Sequence, residues 1–490
     1  MTIQPMHTKT PSAPTPLIPQ PNEGQTFIRV NAALIADATQ SFSPGSLILK
    51  PHLKSGNHSW QIHAVGHPTD INAVPVPDST QTIDLPDQII IPALINAHTH
   101  LDLTHIGPYP HDPDKGFVPW LDMIRANRLM DDTDIANSVN LGITKSLAGG
   151  TIAVGDIAGA PNAVLKDIPI RTLAKSPMLG TSYLEFFGIG TTASTITTTL
   201  QTYLDIHLQS IQQELESTGV TFGLSPHATN TISIAVYQWA AKIAKQYNIP
   251  LSTHLAETLE EREFISKGTG TQRGFLERFG VWDDSILSEI GKDEHPITHL
   301  LPVLKQLPIL CAHVNDAPTG AGSDNVFGNT IEQLAQTQTS IAYCPRAHTY
   351  FGHYKALGPH PFEQMLKAGI NVCLGTDSIV NLDTPDRITT LDDIRLLSAR
   401  DHTDMHTLLA MTTTNPARAL NLNPAQFTLT PTTTPAGLIT LPTTKTRSTG
   451  VPPVSSSSTP NPSPWNSAMQ STPPPAWLIF QPCTVLDSCK

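Results

Sequence analysis

Eight short apolar runs, separated by longer amphipathic segments, dominate the chain between residues 89 and 378: QIIIPALINA, TIAVGDIA, MLGTSYLEFF, VTFGLSPH, IPLSTHLAE, ILCAHV, SIAYCP and INVCLGTDS. Runs of this length suit strands buried on both faces, and such strands pair in parallel with helices packed outside them. Between the runs lie stretches such as ISIAVYQWAAKIAKQY at 232–247, whose apolar residues recur at three- and four-residue steps, as on one face of a helix. Eight strand–helix units close most economically as a TIM-like (β/α)8 barrel, expected here over residues 89–420. His98 and Asp377 stand 279 positions apart, against roughly 250 residues for a typical complete barrel.

The flanks differ in texture. Residues 1–26, beginning MTIQPMHTKTPSAPTPLIPQP, are broken by prolines and lack a basic region leading into an apolar one, so they read as a disordered arm and not as a secretory signal. Residues 27–88 carry TFIRVNAALIADA, SLILKPH, SWQIHAVG and QTIDL, the first part of a small β-domain of sandwich type. Residues 421–490 return to it through LITLP and AWLIFQPC. Between those two runs a Ser/Thr/Pro tract, at about 442–475, is too polar to form core and is expected to be a disordered insert.

Composition excludes some partners. Only 14% of residues are charged, 39% are hydrophobic and the net charge is −12, which argues against a nucleic-acid surface. No uninterrupted apolar run approaches the roughly 18 residues of a membrane span. Five cysteines, three of them (Cys311, Cys344 and Cys373) inside strand-like runs, point to a reducing cytoplasm. The expected partner is a small-molecule substrate, and a homodimer is left open.

The stretch NAHTHLDLTHIG packs three histidines into eight positions. Side chains alternate along a strand, so His98 and His100 project to one face and Thr99 to the other. Alone, this pair in a chain with 20 histidines fits ordinary burial as well as metal binding. The remaining runs decide between the two. His254 ends the fifth, His313 the sixth and Asp377 the eighth, and in a parallel barrel the C-terminal strand ends converge on one mouth. His105, in the loop beyond, and the histidines outside the strand ends are assigned no chemistry.

These residues also carry a resemblance. NAHTHLD, HLAETLEEREF, AHV and LGTDS, with LPDQIIIPALINAHTH leading in, resemble the amidohydrolase superfamily over about residues 27–440, closest to its mononuclear branch of deaminases (cytosine, guanine and adenosine types) and chlorohydrolases. The resemblance implies that His98, His100, His254 and Asp377 bind one divalent metal, Zn2+ or Fe2+, and that His313 orients water or stabilises charge without ligating. Imidazoles plus a carboxylate suit such an ion, and a coordinated water there falls toward a pKa of about 7. Asp377 can also accept that water's proton.

Glu257 stands three residues after His254, where one pocket carboxylate can protonate a ring nitrogen and then serve departing ammonia. It also suits the first turn of a helix, and the two roles are compatible. Glu260, Glu261 and Glu263 read as solvated helix face. Binuclear members of the superfamily carry a lysine at the fourth strand end. VTFGLSPHATN has none, which favours a single metal and a deaminase. At the same strand end His227 is a candidate substrate contact, or part of a capping loop whose Thr229, Asn230 and Thr231 start the next helix. Glu185, ending the third strand, is a polar contact or a buried paired carboxylate. Trp120, in GFVPWLDMIRANR, is lid surface for an aromatic ring or ordinary packing. After Cys344-Pro345, where thioadenosine-type deaminases usually have an Asn nearby, stand Arg346, Ala347 and His348. Arg346 can meet a substrate carboxylate, as in aminodeoxyfutalosine, or pair structurally. The expected activity is release of ammonia from an amino-substituted purine-like ring. Chloride displacement or amide hydrolysis by the same water is the alternative, with a non-catalytic binding protein as the third reading.

Overall fold

The computed structural model describes residues 11–54, 57–160, 163–320, 327–443, 463–470 and 473–481. β1 (Ile28–Ala36), β2 (Ser41–Phe42), β3 (Gly45–Lys54), β4 (Asn57–Gly66) and β5 (Gln81–Pro92) come first. Next are β6 (Leu94–Thr99), β7 (Thr151–Ala158), β8 (Leu179–Phe186), β9 (Val220–Pro226), β10 (Leu251–Leu255), β11 (Ile309–His313), β12 (Ser340–Tyr343) and β13 (Asn371–Leu374), and β14 (Gly437–Pro442) and β15 (Ala476–Phe480) end the series.

Strands β6 to β13 lie in one parallel sheet in sequence order. The ring closes between its first and last members. Thr99 bridges Asp377, the Asn96 amide donates to Thr376 Oγ1 at 2.8 Å, and the Thr376 N–H donates to Asn96 Oδ1 at 3.0 Å. Every residue of β7 and β8 is buried, as expected of strands lined inside the barrel and covered by helices outside. The Ala193–Leu215 helix shows how: Ile196, Leu200, Leu204, Leu208, Ile211 and Leu215 are buried at steps of three and four. This is the expected (β/α)8 barrel.

The other strands form one seven-stranded sheet in the order β15-β14-β5-β1-β3-β4, with β2 on β1. It is the small β-domain built from both ends of the chain, with its own apolar cluster around Val30, Leu47, Trp60 and Ile479. Three expectations shift. The run QIIIPALINA is not one strand: Ile89, Ile90 and Ile91 pair with β14, and only the residues after Pro92 enter the barrel. An apolar run carries no label for which of two sheets will bury it. The arm is also more ordered than its prolines suggest over its described part. Leu17 and Ile18 N–H groups donate to the Trp477 and Leu478 carbonyls at 2.9 Å, and Ile18 is buried. Finally, residues 444–462 and 471–472 of the Ser/Thr/Pro tract lie outside the described residues, but Pro464–Met469 is a helix. Ser463 caps it, and Trp465, Ala468 and Met469 are buried against the main core. One aromatic and one methionine at helical spacing outweigh a polar average.

Candidate active site

The barrel mouth is assembled by backbone contacts between strand ends. The Thr376 and Asp377 N–H groups both donate to the His98 carbonyl at 3.0 Å, and the His100 N–H donates to the Asp377 carbonyl at 3.1 Å. Gly375 permits this approach. A Cβ there would sit 2.9 Å from Cys344 Sγ and 3.0 Å from both Cβ and O of His98. Asp377, His313 and Ala256 adopt positive φ (60°, 67° and 48°) just where strands end, a conformation that costs energy for residues with a side chain and clusters at functional sites.

His98, His100 and His254 present ligand atoms within 4.8 Å of one another. Their ring centroids lie 4.9–5.5 Å apart, and Asp377 Oδ1 is 3.5 Å from His100 Nε2. Both ring nitrogens of His98 and Nδ1 of His100 are buried without a hydrogen-bond partner, which is costly in a closed protein interior unless something else satisfies them. His254 Nδ1 lies 3.1 Å from the His227 carbonyl. A carbonyl only accepts, so Nδ1 carries the proton and Nε2 is left for a metal. Burial, then neighbouring imidazoles, hold His98 and His100 well below the usual histidine range, and burial holds His254 down at about 4. Neutral imidazoles are the ligating form.

Against this cage, the His313 ring centroid lies 5.3 Å from that of His98 and 5.4 Å from that of His254, and Glu257 Oε1 stands 3.6 Å from His313 Nε2. Burial first, then Asp377, Glu261 and Glu260, raise the Glu257 carboxyl well above its ordinary value. Burial alone pushes Asp377 up to about 7. His100, His254, Glu257, His313 and Asp377 line a cavity of about 460 Å3. Its apolar wall comes from Phe117, Trp120 and Ile124 on one side and Phe187, Ile189, Phe275 and Phe279 on another.

The expected contacts divide. His227 lines the cavity with Nδ1 2.7 Å from Thr231 Oγ1, so the capping loop holds one nitrogen and the other faces inward. Glu185 also lines it, buried, with Oε1 unpartnered and Oε2 3.8 Å from Arg128. Glu185, His227 and His254 form a second group of close ligand atoms, but it shares His254 with the first and Arg128 stands beside its carboxylate. Trp120 both lines the cavity and packs on Phe117 and Phe351. Arg346, expected as a contact for a substrate carboxylate, pairs structurally instead. It is buried away from the cavity wall, with Nη2 donating to Asp393 Oδ2 at 3.0 Å and to the Thr389 carbonyl at 2.9 Å, and Nε donating to Asp393 Oδ1 at 3.2 Å. An arginine that can satisfy its whole fork on a buried acid does so in preference to waiting for substrate.

Several residues at the mouth lie outside the expected set. Arg128 crosses the cavity wall to reach Asp102 and Glu185. Asp156, near the end of β7, accepts from the Leu101 N–H at 3.1 Å and from Ser182 Oγ at 2.8 Å. Glu261, expected on a solvated face, is 3% exposed. Only Asp102 and Asp156 were findable, as acids at or just after strand ends.

Comparison with known proteins agrees with this geometry. The amidohydrolase family profile matches residues 89–425. The chain belongs to the amidohydrolase family. A 5-methylthioadenosine/S-adenosylhomocysteine deaminase of Pyrococcus furiosus is 24% identical over 356 residues, 69% of this chain and 72% of the relative. An aminodeoxyfutalosine deaminase of Deinococcus radiodurans is 26% identical over 332 residues, 66% and 71% of the two chains. The fold recurs in the aminofutalosine deaminase of Helicobacter pylori, with TM-score 0.64, 18% identity and coverage of 86% of this chain and 92% of that one. It recurs too in a zinc complex of atrazine chlorohydrolase from Arthrobacter aurescens, with TM-score 0.56, 18% identity and coverage of 87% and 89%. For this amidohydrolase the expected class, a metal-dependent hydrolytic deaminase, is therefore met.

Proposed function

We propose that this amidohydrolase holds one Zn2+ through His98, His100, His254 and Asp377 and deaminates an adenine-type nucleoside bearing a bulky, largely apolar substituent. The observation that carries the reading is the buried three-histidine and aspartate cage, with orphaned ring nitrogens, beside Glu257 and His313 at an aromatic-lined cavity. The donor set fits the ion: nitrogen and carboxylate ligands suit zinc, as they do Fe2+, and zinc is present in the chlorohydrolase neighbour.

A divalent cation held by His98, His100, His254 and Asp377 would lower the pKa of water toward neutrality and so supply the nucleophile. The chain's own residues do the rest. Glu257, whose carboxyl is raised above its ordinary value by burial and then by adjacent carboxylates, gives its proton to the ring nitrogen next to the amino-bearing carbon. Asp377, its Oδ1 3.5 Å from His100 Nε2, accepts a proton from the attacking water. His313, 3.6 Å from Glu257, orients that water, and the proton passes to the amino group as ammonia leaves. His227 and the free oxygen of Glu185 contact polar atoms of the substrate.

The cavity volume lies within the roughly 300–1,000 Å3 usual for small-molecule sites, and the relatives are named for 5-methylthioadenosine, S-adenosylhomocysteine and aminodeoxyfutalosine. With Arg346 occupied by Asp393, an acid group on the substrate has Arg125 to meet, exposed at the cavity edge and stacked 3.8 Å over Phe279. The test is ammonia release over adenine nucleosides, guanine, cytosine and aminodeoxyfutalosine, with metal content measured on the same preparation. One zinc per chain, and a fall of roughly 100-fold or more in kcat for Glu257→Gln with zinc retained, are expected. Protein that deaminates at full rate with Gln at that position refutes the proton role, and activity that survives complete removal of metal refutes the cage.

A further inference from the structure

Thr258-x-x-Glu261 has the spacing of a helix capping box, in which the glutamate at the third helical position turns back to the N–H of the capping residue. Half of the box is present. The Glu261 N–H donates to Thr258 Oγ1 at 3.0 Å at the start of the Leu259–Lys267 helix. The other half is not made. The Glu261 carboxylate passes beyond the cap and accepts from two earlier N–H groups, Ala256 at 3.0 Å through Oε1 and Glu257 at 2.8 Å through Oε2, and Thr229 Oγ1 also donates to Oε1.

The next peptide group, on the other side of the Glu257 Cα, is held as well. Asn315 Nδ2 donates to the Glu257 carbonyl at 3.1 Å, and Asn315 Oδ1 lies 3.0 Å from His348 Nδ1. Glu257 therefore has its N–H bound by one side chain and its C=O by another. The residue before it, Ala256, is kept at φ 48°, a conformation that needs such restraint to persist. Bringing a carboxyl group into a site 3% exposed is expensive, and a helix cap alone would not require it, because Thr258 already caps.

We propose that Glu261 is a positioning residue for Glu257: its carboxylate fixes the short segment between β10 and the following helix so that the Glu257 side chain meets the substrate ring at a single height above the metal cage. The inference rests on the reading of Glu257 as proton carrier. Glu261 touches neither substrate nor metal, and it acts on the reaction only through the Glu257 backbone.

A double-mutant cycle on the metal-loaded enzyme tests this. Glu261→Gln puts an NH2 group against a backbone N–H and frees the segment. A misplacement of the order of 1 Å costs about 100-fold at most, so kcat should fall about 10- to 100-fold, with KM within about threefold and zinc content unchanged. In a Glu257→Gln background the same change should lower kcat by no more than about twofold, because the group it positions has already lost its proton. Losses that multiply, or an unaltered kcat in Glu261→Gln, overturn the proposal. If Glu257→Gln itself keeps the parent rate, the proton-carrier reading fails at the first corner of the cycle, a result separate from multiplying losses. Should Glu261→Gln not fold, Thr229→Val, which removes one donor and keeps the carboxylate, runs the same cycle with a smaller loss in the parent and none in Glu257→Gln.

Discussion

At the scale of single residues, the same side chain does different work according to what it faces. Arg346 and Arg128 are both arginines near the barrel mouth, yet Asp393 draws the first out of the cavity, and Asp102 and Glu185 hold the second across its wall. Asp156 is wholly buried on β7 with no cation on its oxygens, and burial, reinforced by Asp102, pushes its carboxyl up to about 7. The folded protein keeps a proton that the unfolded chain releases near pH 4, so this group makes stability fall as pH rises from about 4 to about 7. Asp156→Asn removes the titration and keeps the shape. Its melting temperature relative to the parent should therefore be more favourable at about pH 8, above that window, than at about pH 5, in its lower part, measured by calorimetry at both. A difference that does not change with pH contradicts the assignment.

At the scale of elements, two helices cover the cavity. Val118–Asn127 supplies Trp120 and Ile124, and Thr271–Arg278 supplies Phe275 and Leu276. They meet through Arg278 and Asp122 at 2.7 Å and through Arg125 on the Phe279 ring. The ion pair is partly exposed and contributes little; the shared aromatic wall is what both helices give the site. In the segment after the first barrel strand, Trp120 packs on Phe117 and Phe351 and also lines the cavity. Trp120→Ala should raise KM about tenfold and change kcat less, because the lost contact is made equally in ground and transition states. Steady-state kinetics on the best substrate of the ammonia screen checks this; a fall confined to kcat would place Trp120 in the chemistry instead.

At the scale of the whole molecule, the two sheets are continuous through the chain. β5 leaves the small sheet at Pro92 and the next strand enters the barrel, while the Ala93 N–H donates to the Gly437 carbonyl of β14 at 2.9 Å. Farther out, Trp477 Nε1 on β15 donates to the Leu147 carbonyl on a barrel helix at 2.9 Å. Gln481 ties the ends of the small domain together: Oε1 accepts from the Trp60 N–H at 2.6 Å, and Nε2 donates to the carbonyls of Trp60 (3.1 Å) and Pro435 (2.6 Å). Gln481→Leu leaves these buried groups unpaired, at about 1–3 kcal/mol each at most. Thermal unfolding should show a melting temperature lower by a few degrees, with kcat/KM at folded temperatures unchanged, since none of these atoms lies at the barrel mouth. Among the described residues no helix is long and apolar enough to cross a membrane.

The sequence by itself determined the barrel and the placement of His98, His100, His254, His313 and Asp377 at its mouth. Those features are local in origin: strand length, apolar patterning and the position of a residue at a strand end can be read in a window of a few residues, and parallel closure then brings the ends together. Tertiary structure decided what depends on partners distant in sequence. Ile89–Ile91 went to the small sheet because β14, which lies beyond the whole barrel in the chain, pairs with them. Arg346 turned from the cavity because Asp393 lies within reach, and Glu261 turned inward because two backbone N–H groups and Thr229 await an acceptor. A charged side chain's direction is set by which buried group can satisfy it, and that group is named only when the chain has folded.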